Sequence, residues 1–199
     1  MRTHAQNKTL LVAGVAGVAL VGGLVLLARS SSAGVDDGRP IHVAGDSYAV
    51  GIADALRKQH PKRAITSSAV GGVAAYFMPP LKESDDWQIL SAGTNDAAGV
   101  APPSDIASRI MKVLGPYGNG TAKRGGVAYI VPHSKMGGAL GQRVTETMGE
   151  LAIMLDQADP DRLAFVSMQV EPGPDKIHPT PQGYGTLARD AVDALSKLA

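Results

Sequence analysis

Four short clusters hold the residues whose types and spacing suit chemistry. Gly45-Asp46-Ser47 offers a hydroxyl, and Gly71-Gly72 a pliable backbone. Thr94-Asn95-Asp96 offers a side-chain amide, and Asp175-Lys176-Ile177-His178 a carboxylate three residues before an imidazole. Acyl transfer needs these parts: a nucleophile, a base, a group that orients the base, and donors for an oxyanion. Ser47 is the candidate nucleophile, His178 the base, Asp175 its orienter, and Gly72 and Asn95 the donors. One oxyanion donor is worth about 3–4 kcal/mol in a transition state. Each cluster also has a plain structural alternative. Ser47 can serve only as a helix cap. Asp175 can cap a turn, with His178 packed at the surface. Gly71-Gly72 can be a tight turn, and Thr94-Asn95-Asp96 an Asx turn or a cap.

The elements around these clusters supply a reason to read them together. Short apolar runs at 41–44, 64–68, 87–92, 127–131 and 163–166 suggest strands. Helical segments fall between them, at 50–59, from an N-cap at Ser104 to about Leu114, at 140–155 and at 181–198, with a short helix at 73–78. Strand and helix alternate about five times, which predicts an α/β fold with a parallel sheet covered on both faces. Ligands of such sheets bind beyond the carboxyl ends of the strands. Every polar cluster falls at a predicted strand end, and His133 falls there too.

Composition narrows the classes. The chain has 199 residues, 19 Lys+Arg against 18 Asp+Glu, and no cysteine. Near-zero net charge argues against coating nucleic acid. The missing thiols exclude disulfide staples, thiolate metal sites, a cysteine nucleophile and a lipidated cysteine anchor. Aromatics make up 4% of residues, too few for a base-stacking platform. The five histidines show no metal-ligand spacing, so no metal or cofactor is expected. His42 and His60 receive no role, and Asp96 reads as a supporting or capping residue.

Residues 1–29 form a separate unit. Leu10 to Ala28 is 19 residues without a charge, roughly 28 Å as a helix and close to a bilayer core of ~30 Å. Arg2 and Lys8 before it favour a cytoplasmic N-terminus and an exported remainder. The expectation is a transmembrane signal-anchor that contacts the lipid bilayer through 10–28. The alternative is a secretory signal cleaved after Ser31-Ser32-Ala33. Gly14, Gly17, Gly22 and Gly23 suit close helix pairing. Residues 30–40 read as a linker and 41–199 as the working domain. From residue 30 onward, 16 basic residues face 18 acidic ones, a net −2.

The clusters, in this order, resemble the SGNH (GDSL-type) hydrolases, a superfamily of esterases, lipases and acetyl-esterases. The resemblance covers 41–199. Its blocks here are Gly45-Asp46-Ser47-Tyr48-Ala49-Val50-Gly51, Ser67-Ser68-Ala69-Val70-Gly71-Gly72, Gly93-Thr94-Asn95-Asp96 and Asp175-Lys176-Ile177-His178-Pro179. It implies a flavodoxin-like three-layer α/β/α sandwich with a five-stranded parallel sheet, here preceded by one N-terminal hydrophobic helix. It also implies a Ser47-His178-Asp175 triad, with the Ser47 N–H, the Gly72 N–H and Asn95 as the oxyanion hole. Two positions depart from the pattern: Ser67 stands where an Asn is common, and Tyr48 where a Leu is common.

By this resemblance the chain is a serine esterase without metal or cofactor. The insertions between strands are short, which favours small acyl groups such as acetyl on a cell-wall or surface carbohydrate. A broad lipase or thioesterase on lipid-like esters is the alternative. A third reading is a membrane-tethered structural module of an envelope or virion, assembled with itself or a partner. The expected location is the cell envelope or periplasm, outside the cytoplasm, or secretion if the signal is cleaved.

Overall fold

The computed structural model describes residues 37–132 and 138–198. The expected membrane segment 10–28, most of the expected linker, and His133 lie outside the described residues. Among the described residues no helix is long and apolar enough to cross a membrane.

Five strands form one sheet: β1 (Ile41–Gly45), β2 (Ile65–Ser67), β3 (Trp87–Ser91), β4 (Gly126–Val131) and β5 (Leu163–Ser167). Their order is β2-β1-β3-β4-β5, and every neighbouring pair is parallel. The helices are α1 (Ser47–Gln59), α2 (Thr94–Ala97), α3 (Pro103–Leu114), α4 (Gly138–Met154) and α5 (Pro181–Leu195). The strand order turns back at β1. Right-handed crossovers then send the helices after β1 and after β3 to opposite faces. In agreement, α1 packs on α5 and α3 packs on α4.

Burial follows sheet position. All five β3 residues are buried, as are the first five of β4, whereas β2 at the edge is mostly exposed. Central strands of a doubly covered sheet need continuous apolar runs, and Ile89-Leu90 and Val127-Ala128-Tyr129-Ile130 provide them. Trp87 opens β3 with the guanidinium groups of Arg63 and Arg39 at 4.8 and 5.4 Å from its ring centroid.

Three boundaries differ from the sequence expectation. Helix α1 begins at Ser47 rather than Val50, because the Asp46 carboxylate accepts the Tyr48 N–H and caps the helix there. Ser104 is not the cap of α3. Pro102 holds that position without a side-chain bond, and Pro103 opens the helix, its fixed φ already helical. The Thr94–Ala97 segment, read as a turn or cap, is a single helical turn, α2.

Order reversal between β1 and β3 opens a crevice at the carboxyl ends of these two strands. Ser47 follows β1 and Asn95 follows β3, so both clusters flank it. Gly45 keeps the two strand ends together. At φ +135°, a Cβ there would lie 2.0 Å from the Ser91 carbonyl oxygen, a position open only to glycine.

Candidate active site

Ser47 is the first residue of α1, held at the end of β1 by a buried carboxylate. Asp46 Oδ1 accepts the Tyr48 N–H at 3.1 Å and the Ser91 hydroxyl at 2.9 Å. Asp46 Oδ2 is buried without a hydrogen-bond partner. Burial pushes the carboxyl up to about 6, against the pull of the Ser91 and backbone hydrogen bonds. Since Asp46 is the cap, the Ser47 hydroxyl is not spent on capping. It faces His178 Nε2 at 2.8 Å.

His178 arrives from the loop between β5 and α5. A backbone bridge links Pro172 and Pro179 across this loop. The Gly173 N–H bonds to the His178 carbonyl at 2.6 Å, and the Lys176 N–H to the Gly173 carbonyl at 2.9 Å. Lys176 takes up φ 60° to make the turn. Asp175 makes two sets of contacts, one with each carboxylate oxygen. Its Oδ1 caps the turn, accepting the N–H groups of Ile177 and His178 at 2.9 and 2.8 Å. Its Oδ2 lies 2.6 Å from His178 Nδ1. The Ile177 N–H, then the imidazole, hold the carboxyl down at about 2. An ionised Asp175 fixes the proton on Nδ1 and leaves the Nε2 lone pair toward the Ser47 hydroxyl. The His178 and Asp175 side chains remain 38% and 52% exposed, so the relay is open to water.

The Gly72 loop runs along the same sheet edge. The Val70 N–H reaches the Gly45 carbonyl at 2.9 Å, and the Val73 N–H closes a turn on the Val70 carbonyl at 3.2 Å. Gly72 is the third residue of that turn, with φ +77°, a value that turns assign to glycine. Asn95 Nδ2 donates to the Val73 carbonyl at 3.0 Å. An amide nitrogen carries two protons, so this bond occupies one and ties Asn95 to the Gly72 loop. Neighbouring Asp96 accepts the Ala75 N–H at 2.6 Å, in keeping with the supporting role read for it.

The structure thus links Ser47 to Asp175 through His178 and ties Asn95 to Val73, the residue after Gly72. Three supporting residues had no sequence signal, and a fourth, Tyr48, stood out only as a departure from the resembled pattern. Arg109 on α3 lies 3.5 Å from Asp96 Oδ1 and 5.2 Å from the Tyr76 ring centroid. Tyr129 on β4 donates its hydroxyl to the Ala92 carbonyl at 2.8 Å, just before Gly93. Ser91 bonds Asp46, as above, and Tyr48 bonds the Ile177 carbonyl at 2.8 Å. All four act across tertiary contacts, between residues far apart in the chain.

His42 is engaged elsewhere. Its ring nitrogens lie 2.9 Å from Thr66 Oγ1 and 3.0 Å from Ser68 Oγ. These residues, with Met78, Leu81 and Leu90, line a cavity of about 440 Å³ whose lining does not include Ser47, Asp175 or His178. Among the described residues no cluster of His, Asp or Glu could hold a metal ion.

No protein-family model matches this chain, and no curated protein sequence matches it. Solved structures do. An aryl esterase from M. smegmatis aligns over 81% of this chain and 100% of its own, at 14% identity and TM-score 0.58. A GDSL-like lipase from Bacteroides thetaiotaomicron aligns over 82% and 92%, at 16% identity and TM-score 0.56. A carbohydrate acetylesterase from Sinorhizobium meliloti aligns over 78% and 97%, at 15% identity and TM-score 0.54. The described part of the chain has the fold of these GDSL-type esterases and lipases.

Proposed function

We propose that residues 41–199 form a serine ester hydrolase that removes short acyl groups, acetyl foremost, from a carbohydrate. The Ser47-His178-Asp175 relay, with contacts of 2.8 and 2.6 Å, carries this reading. His178 Nε2 takes the Ser47 proton as Oγ attacks the ester carbonyl. The carbonyl oxygen gains the charge and is held by the N–H groups of Gly72 and Ser47 and by the second Asn95 proton. Nε2 then gives the proton to the departing alcohol, leaving an acyl-Ser47 ester. Water attacks that ester by the same route and frees the acid.

The acetyl preference draws support from a neighbour, the carbohydrate acetylesterase from Sinorhizobium meliloti, and from the short connections around the site. A lipid-like substrate is the second reading, favoured by a specific observation. Tyr76 and Phe77, four and five residues beyond Gly72, are 67% and 75% exposed. We further propose that residues 10–28 tether the domain outside the cytoplasmic membrane.

The test is hydrolysis of acetyl and long-chain aryl esters by residues 34–199, beside Ser47→Ala. Acetyl turnover that vanishes in the variant is expected. A long-chain preference favours the lipid reading. Equal, negligible rates for a folded wild type and variant overturn a general esterase.

A further inference from the structure

The loop that carries His178 is shaped by its own bonds, Gly173 N–H to His178 carbonyl and Lys176 N–H to Gly173 carbonyl. Those bonds set its form but not its place relative to Ser47. Tyr48 supplies a link between the two. It is the second residue of α1, its backbone N–H is fixed by Asp46, and the residue is 1% exposed. Its hydroxyl donates to the Ile177 carbonyl at 2.8 Å, the peptide group immediately before His178. Its ring centroid lies 5.4 Å from that of the imidazole, tilted by 42°. One side chain therefore bonds the backbone that enters His178 and packs beside its ring, from the residue adjoining Ser47.

We infer that Tyr48 is a positioning residue for the base: its hydroxyl sets the His178 loop in register with the first turn of α1, so that Nε2 meets the Ser47 hydroxyl. Burial first, then the nearby Asp46 carboxylate, pushes the phenol pKa up, so the hydroxyl keeps its proton over the working pH range. The bond is a neutral donor on a backbone carbonyl. Its loss relaxes the loop without stranding a charge.

The kinetic arm of the test rests on the esterase reading. With aryl acetate as probe, Tyr48→Phe keeps the ring and removes the donor. The expected result is a fall in kcat on the order of tenfold, the reach of one such hydrogen bond, with KM within about twofold. A residue that merely packs would lower thermal stability and leave kcat alone. Unchanged kcat therefore overturns the inference. Tyr48→Leu also lacks the donor and must lose at least as much kcat; wild-type turnover in a folded Leu variant overturns the inference equally.

A second arm needs no activity. The proton between His178 Nδ1 and Asp175 should give a downfield proton resonance in the wild type, absent from Asp175→Asn. In Tyr48→Phe this resonance broadens as the loop loosens toward water. A resonance as sharp as in the wild type overturns the inference. If the wild type hydrolyses no ester, the esterase reading fails, and the resonance still decides the role of Tyr48.

Discussion

At the residue scale the site divides into groups that would meet the substrate and groups that hold them. Ser47→Ala should lower ester turnover by at least about 10³-fold, measured as kcat on aryl acetate. Asn95→Ala should lower kcat by about 10²–10³-fold. It also removes the bond to the Val73 carbonyl, so some loosening of the Gly72 turn is expected with it. Asp46 makes a different prediction. Its folded pKa, about 6, lies above the ordinary carboxylate value of 3.8 because it is buried. The folded state therefore holds a proton that the unfolded chain releases between about pH 4 and pH 6. The resulting stability is complete below that window and is lost as pH rises through it, by on the order of 3 kcal/mol. Asp46→Asn keeps an oxygen for the Tyr48 N–H and the Ser91 hydroxyl but does not titrate. Its melting temperature relative to the wild type should rise from pH 4 to pH 6, and calorimetry across that range checks it. Asp175, held at about 2, acts in the opposite sense at lower pH: its contribution is present above about pH 4 and fades as pH falls toward 2.

At the element scale the fit between α1 and α5 positions Ser47. A Cβ on Gly51 would lie 2.4 Å from the Tyr184 ring. Gly51→Ala should cost about 1–3 kcal/mol through overpacking, read as an earlier midpoint in urea. Trimming the ring with Tyr184→Leu should recover part of that loss. Much at this scale was legible in the chain. The strands were legible because a strand buried on both faces is a short apolar run between turn residues, as Ile89-Leu90 before Gly93 shows. The polar clusters were legible because they end such runs. Two features were hidden for physical reasons. The start of α1 at Ser47 depends on a carboxylate turning back onto the Tyr48 N–H, which periodicity does not encode. The single turn of α2 is too short to show a period. The clamp from Asp96 through Arg109 to Tyr76 joins α2, α3 and the Gly72 loop, and only the folded sheet brings those together.

At the scale of the whole molecule, alternation in the sequence predicted a parallel sheet but not its strand order. The order β2-β1-β3-β4-β5 decides the location of the site, since it places the reversal between the strand that leads to Ser47 and the strand that leads to Asn95. The net charge of −2 from residue 30 onward and the apolar run at 10–28 belong to this scale as well. The full chain should float with lipid vesicles in a density gradient, and residues 34–199 should remain at the bottom. Equal behaviour of the two would remove the proposed tether.

The openness of the relay has a consequence for the working life of the protein. Asp175 and His178 sit half in water on a loop, whereas Ser47 is rooted beside the packed centre of the sheet. Local opening of such a loop costs less than global unfolding. Warming or dilute denaturant should therefore switch the molecule off while it is still folded, and cooling should restore it promptly. A reversible dormant state of this kind would show as an activity midpoint below that of circular dichroism.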